Sequence, residues 1–273
     1  MIKWALRSRE LRGLYELVHN VPGLGYLAVR MVRHLVPKDT YQWTTVPAGL
    51  DRGLEILADP RYELRYLRGD HEPWMQDLLK SWLEPGDAFY DVGAHVGFFT
   101  LGAARLVGPQ GRVVALEPDA HNYERLQSSV ERSKMPQIRL VSAAAWSRRG
   151  TALFEPSHAS SSRVEGRLSL DAGPQKQGDR VSVPTVLLDS YFEAGPCVVK
   201  VDVEGAEAQV LKGADRFLNG DQTKWVIELH SDESRRELFK LLEQTDYEIS
   251  VVAPTHPKHS SKGQNYIVAV PKV

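Results

Sequence analysis

The run Phe89-Tyr-Asp-Val-Gly-Ala-His-Val-Gly-Phe-Phe-Thr100 constrains this chain more than any other stretch. An apolar segment ending in Asp91 leads at once into Gly93 and Gly97, and a helical pattern follows from Phe98 to Leu106. About twenty residues beyond Gly97, a second apolar run, Val113 to Leu116, ends in Glu117. The order is strand, glycine turn, helix, and a second strand with a carboxylate at its tip. Such a layout builds a nucleotide-type pocket at the C-terminal edge of a parallel sheet.

Glycine spacing separates the ligands such a pocket could take. A dinucleotide loop, G-x-G-x-x-G counted from Gly93, needs glycine at positions held by His95 and Phe98. A phosphate-cradling G-x-x-x-x-G-K-[ST] loop is also missing from the sequence. The spacing present, D-x-G-x-x-x-G, is the one used to hold S-adenosylmethionine. Glycine at 93 and 97 frees the backbone for a sharp turn and for close approach to the ligand. Glu117 is placed to accept hydrogen bonds from a pair of ribose hydroxyls. The expected cofactor contacts are Asp91, Gly93, Ala94, His95, Gly97, Glu117, Pro118, Ala144 and Asp202.

With 273 residues, the chain suits one sizeable domain plus an extension. Its net charge of -1 gives no global reason to expect nucleic acid as a partner. The single cysteine, Cys197, lies in an apolar run and reads as a buried structural thiol. No apolar run reaches the length of about 18 residues that a membrane span needs. The basic N-terminus is interrupted by Pro22, Gly23 and Gly25 and shows no signal-peptide core, so a cytoplasmic protein is expected.

Three regions are expected along the chain. Residues 1–40 are basic, with apolar positions at helical spacing on either side of the Val21–Gly25 turn. Such a segment, residues 1–38 above all, can pack on its own domain or meet a membrane surface. Residues 41–86 form a small lead-in, with short strands over 53–57 and 62–67 and a helix over 74–83. Residues 87–273 carry the main domain. There we expect strands at 112–117, 138–143, 197–202 and 225–229 alternating with helices at 119–134, 206–218 and 232–244. Asp119 is the expected N-cap of the first of those helices. Ser157 to Arg180 reads as a long excursion over the pocket. Strands 247–252 and 266–270 close the chain. Alternating strands and helices predict an α/β, doubly wound Rossmann-like sheet with an antiparallel last strand.

A second dense motif is Val198-Val-Lys-Val-Asp-Val-Glu-Gly-Ala-Glu207. Its apolar strand delivers Asp202 and Glu204 to the C-terminal edge, and Gly205 permits a turn into a helix. The next strand presents Glu228 and then His230. Strand adjacency suggests a Lys200–Glu228 ion pair, because a buried charge needs a partner.

With these elements in hand, the chain resembles the FkbM family of S-adenosylmethionine-dependent O-methyltransferases. The resemblance rests on Asp91–Gly97, Leu116-Glu-Pro118, Leu187-Leu-Asp189, Lys200–Glu207 and Ile227-Glu-Leu-His230, and covers roughly residues 70–270. Its most specific part is the KxDxEGxE element; His95 departs from the asparagine often found there. The resemblance implies a class I methyltransferase fold, S-adenosyl-L-methionine as cofactor, and a small hydroxylated acceptor of sugar, glycolipid or polyketide type.

An alcohol becomes a useful nucleophile as its proton is taken. His230 is the expected base, since an unperturbed imidazole titrates near neutrality, with Asp202 and Glu204 orienting the acceptor. A competing reading makes Asp202, Glu204 and His230 ligands of a divalent ion that acidifies the hydroxyl. Glu207 is read as a carboxylate favoured by the start of its helix. Ser160 to Ser162 and the Lys/His cluster at 256–262 are read as solvated loops. The alternative to an enzyme is a non-catalytic module that keeps the cofactor pocket and engages a membrane or partner through its basic N-terminus. Clustered carboxylates are costly and favour the enzyme.

Overall fold

In the computed structural model, residues 40–155, 167–169, 180–220, 222–253 and 265–272 are described. The expected N-terminal helices, the Ser160–Ser162 loop and the 256–262 cluster lie outside these residues. The chain divides into two units after His71, so the helix after Glu72 belongs with the main domain and not with a separate lead-in.

In the first unit, β1 (Gln42–Thr45) pairs antiparallel with β2 (Glu55–Ala58). The strand expected over 62–67 is instead a short helix, α1 (Leu64–Arg68). Leucine and arginine are good helix formers, and the run has no β-branched residue to favour a strand. Gly69 ends it at φ 75°, donating to the carbonyls of Arg65 and Tyr66.

The second unit opens with α2 (Pro73–Trp82), β3 (Ala88–Val92), α3 (Phe98–Val107), β4 (Arg112–Leu116), α4 (Ala120–Ser133) and β5 (Ile138–Val141). Asp119 caps α4 as expected, its side chain accepting from the amides of His121 and Asn122. A second sheet follows, ordered β6 (Ala144–Ala145), β9 (Val181–Val186), β7 (Gly150–Glu155), β8 (Arg167–Ser169). Its strand β8 lies within the excursion, and the other three flank it, where the sequence reading placed no strands. The main sheet resumes with β10 (Cys197–Val201), α5 (Glu207–Lys212), α6 (Asp215–Leu218), β11 (Thr223–Leu229), α7 (Asp232–Leu242), β12 (Tyr247–Val252) and β13 (Asn265–Pro271). The single helix expected over 206–218 is broken into α5 and α6 at Gly213, which lies so close to Trp146 that a Cβ would stand 2.1 Å from its carbonyl oxygen.

The main sheet has seven strands in the order β12-β13-β11-β10-β3-β4-β5. The run β11 to β5 is parallel, and β13 is antiparallel to both of its neighbours. The last strand is therefore the antiparallel one, but it fills a slot inside the sheet and leaves β12 at the edge. Every residue of β3 and β10 is buried. Such strands, covered on both faces, read as continuous apolar runs. From β3 the chain winds outward to β4 and β5, then returns to β10 and winds the other way. The reversal point lies between β3 and β10, where an open α/β sheet leaves a crevice at its C-terminal edge.

Candidate active site

Two turns leave the sheet side by side at this crevice. The turn after β3 holds Gly93 at φ 82°, and a Cβ there would stand 1.8 Å from the backbone oxygen of Asp202. The sharp turn expected at Gly93 is present, and what a side chain there would meet is the chain leaving β10. At Gly97 a Cβ would meet Leu126 Cδ1 at 2.4 Å, so this glycine admits α4. His95, at φ 52°, and Glu204, at φ 54°, are held left-handed in the two turns. Strain of this kind persists where the surrounding structure fixes it, commonly at functional sites.

Asp91, Lys200 and Thr100 form the floor. Lys200 Nζ lies 3.1 Å from Asp91 Oδ1 and 3.6 Å from Asp202 Oδ2. Thr100 Oγ1 donates to Asp91 Oδ2 at 2.7 Å. The expected Lys200–Glu228 pair is therefore replaced by Lys200–Asp91, because register sets residue 200 beside residue 91 on β3 and beside Val226 on β11. Burial alone would lower the lysine, but the fields of Asp91 and Asp202 outweigh it and hold the ammonium firmly protonated. Both oxygens of Asp91 are engaged inside the protein, which makes it an anchor of the turn.

Glu117, at the tip of β4, accepts from the His95 amide at 2.7 Å and from the Asp119 amide at 2.9 Å, one on each oxygen. The Asn122 side chain also hydrogen-bonds to it, and the lone pair that remains suits a ribose hydroxyl. Burial pushes this carboxyl up to about 8, against the pull of the two amides. Burial, reinforced by Arg125 and Lys200, keeps His95 well below the usual histidine range, and hence neutral. Ala94 is buried and Pro118 half-buried beside these groups. Ala144 starts the second sheet, paired with Thr185, and packs with Phe154 and Val183.

The second cluster surrounds His230. Its Nδ1 lies 2.6 Å from Oε1 of Glu207, a carboxylate with no exposed surface. Its Nε2 faces Glu204 Oε2 at 3.4 Å, Asp202 Oδ1 at 3.6 Å and Glu228 Oε1 at 3.8 Å. Burial by itself would lower this imidazole, but hydrogen bonds to Glu204 and Glu207 and the fields of Glu204 and Asp202 push it up to about 11. The expected base role for His230 presumed an ordinary imidazole, whereas the surrounding carboxylates favour the charged ring. Nor does His230 cap α7, since Ser231 does so by accepting from the Ser234 amide. Burial pushes Glu228 up to about 9, with Asp202 and Glu72 adding to the effect.

Asp202, Glu228 and His230 have donor atoms within 4.8 Å of one another, so Glu228 joins the group able to take a cation, where the sequence suggested Glu204. Glu207 is the residue that sequence reasoning passed over. Its signal was the distance in sequence between it and His230, which only β10–β11 pairing closes. Cys197 is an inert thiol as expected, buried, donating to Thr223 Oγ1 at 3.3 Å and raised to about 11 by burial.

A parallel sheet reversed at its centre, with one antiparallel strand inside one end and a strand-tip glutamate beside the central glycine turn, defines the class I S-adenosylmethionine-dependent methyltransferases. The chain belongs to the FkbM family among them: the model of the methyltransferase FkbM domain matches residues 91–249. A hexuronic acid methyltransferase of Haloferax volcanii is 28% identical over 190 residues, 67% of this chain and 72% of that protein. A protein-L-isoaspartate O-methyltransferase of Triticum aestivum is 32% identical over 145 residues, 51% of this chain and 56% of that one. Among solved structures, a methyltransferase FkbM from Methylobacillus flagellatus superposes with a TM-score of 0.49 at 19% identity, over 68% of this chain and 43% of its own. Among the described residues no helix is long and apolar enough to cross a membrane.

Proposed function

We propose that this methyltransferase moves a methyl group to an oxygen of a small sugar-type acceptor, and that the acceptor sits at the Asp202–Glu204–His230 cluster. The observation that carries the reading is the convergence of these side chains, from two neighbouring strand ends, next to the glycine turn that abuts Asp202. The Haloferax relative, named for a hexuronic acid, supports the sugar class.

Glu117, at the tip of β4, fits a hydroxyl of the cofactor's ribose, and Asp202, with a side chain 32% exposed, fits the ammonium of its methionine part. When bound, S-adenosylmethionine supplies an electrophilic methyl group. The chain supplies orientation, which carries most of an in-line displacement. Asp202 and Glu204 orient the acceptor hydroxyl, and one of the two carboxylates takes its proton as the C–O bond forms and the methyl leaves sulfur. His230, charged, donates from Nε2 and keeps the two carboxylates in place.

Calorimetric titration with S-adenosylhomocysteine, followed by label transfer from S-adenosylmethionine to a panel of hydroxylated sugars, tests the reading. Failure of the folded protein to bind the cofactor product would sink it. His230→Ala is expected to cut transfer by about 100-fold or more while leaving product affinity unchanged; unchanged turnover would remove His230 from the mechanism.

Glu117 makes a separate prediction. Glu117→Ala should weaken S-adenosylhomocysteine by about 10- to 100-fold, the worth of hydrogen bonds to a charged acceptor. An ionised carboxylate is the better partner for hydroxyls. With its pKa near 8, affinity should rise between pH 7 and pH 9 as the group loses its proton. Glu117→Gln should flatten that rise; a slope surviving in this variant would assign it to another group.

A further inference from the structure

We infer that Glu207 is a positioning residue: it grips Nδ1 of His230 and so aims Nε2 at the acceptor seat as a hydrogen-bond donor, leaving proton acceptance to Asp202 and Glu204. This rests on the O-methyl transfer reading for what the aimed nitrogen meets, and otherwise on geometry alone.

A carboxylate with no exposed surface is costly unless every lone pair in use has a donor. Glu207 is supplied with three. Oε1 receives the His230 ring nitrogen at 2.6 Å and the Gly205 amide at 2.8 Å, and Oε2 receives the Ser234 hydroxyl. Those donors come from the turn after β10, the end of β11 and the first turn of α7. Glu207 therefore joins three elements at a single side chain. If packing were its only task, a neutral side chain of the same size would serve without the cost of buried charge.

The consequence for the imidazole is directional. Nδ1 faces a carboxylate at short distance, so it carries hydrogen. The ring can then offer acceptor or donor character only at Nε2. The titratable groups facing that nitrogen are the carboxylates of Asp202, from the end of β10, and Glu204, from the turn beyond, together with the carboxyl group of Glu228 from the end of β11. Glu228 is the weakest of these as an acceptor, since burial holds it protonated up to about 9. Lys200 stands behind Asp202 and is occupied by Asp91. Nε2 thus carries hydrogen too. Among the described residues, Glu207 differs from the other three in touching the nitrogen that points away from the seat.

Histidine-labelled protein, observed by long-range nitrogen–proton correlation, reads the state of each ring nitrogen directly. In the wild type, His230 is expected to show both nitrogens protonated from pH 6 to pH 9, with a strongly downfield Nδ1 proton. A neutral ring with a bare Nε2 at pH 7 would overturn the inference, whatever the variants do. Glu207→Gln should lower the titration of His230 by about 1–3 pH units, the usual effect of an opposite charge at this range. Glu207→Asp, which keeps the charge but withdraws it by one methylene, should lie between. An unmoved titration in folded Glu207→Gln would also overturn it. Parallel titration with S-adenosylhomocysteine separates the two readings. Absent product binding with the expected spectra defeats the methyltransferase seat and leaves the dyad. Normal product binding with a bare Nε2 does the reverse.

Discussion

Gly93→Ala is expected to cost at least about 3 kcal/mol and to abolish S-adenosylhomocysteine binding at temperatures where the variant remains folded. Two effects combine. The residue sits at φ 82°, where an added Cβ carries a backbone penalty of about 1–2 kcal/mol. That Cβ would also fall 1.8 Å from the Asp202 carbonyl oxygen, which is backbone and cannot swing aside. Relief requires the turns after β3 and β10 to part, and the cofactor and acceptor residues are divided between those turns. Denaturant melts give the stability loss and calorimetry the binding loss. A variant that keeps both within error would show that the turns are not locked together here. Gly86→Ala is the comparison: its φ is 100°, but open space surrounds its Cβ position, so only the backbone penalty applies.

Lys200→Met should be comparably damaging, at about 3–5 kcal/mol, because it leaves the carboxylate of Asp91 buried with the Thr100 hydroxyl as its remaining side-chain donor. Side-chain exposures of 5% and 1% leave solvent little scope to screen the pair. Asp91→Leu alone should also destabilise, though less, since the ammonium retains Asp202 and the Gly93 carbonyl. The combination of both changes should recover much of the loss, as apolar replacements of buried pairs commonly do. Additive losses in the double variant, measured by denaturant melts, would mean that the two residues do not act as a pair. Product affinity in the double variant adds a second readout. Preserved binding would confirm that Asp91 anchors the turn without touching the cofactor.

The fold was readable because its strands announce themselves. Phe89–Val92, Val113–Leu116 and Val198–Val201 are apolar runs of strand length, and the glycine turn and Glu117 fix their order. Asp119 was recognisable as a cap because capping is a local matter. Partnerships across strands were less legible. Lys200 was matched with Glu228 because the two strands are neighbours, yet register is a property of the whole sheet and puts Asp91 opposite. His230 was credited with an ordinary imidazole's titration because a sequence does not reveal how many carboxylates converge on one ring. Glu207 looked like any acid at a helix start, and only the return of β11 beside β10 brings His230 to it. The second sheet escaped because β7 and β9 carry no continuous apolar run and lie on either side of Ser- and Gly-rich text without a period.

The slot filled by β13 bears on when this site comes into being. Glu228 on β11 has Tyr266 as its cross-strand neighbour, and Tyr266 is made after every other strand of the sheet. Until that segment arrives, β11 is a bare margin and β12 has nothing to pair with. The wall behind Glu228 and His230 is thus completed by the last strand of the chain to be made, while the longest reach in sequence belongs to the pairing of β3 with β10. A chain made only as far as β12 would hold the pairing of β3 with β4 and β10 and still lack the strand that lies beside Glu228.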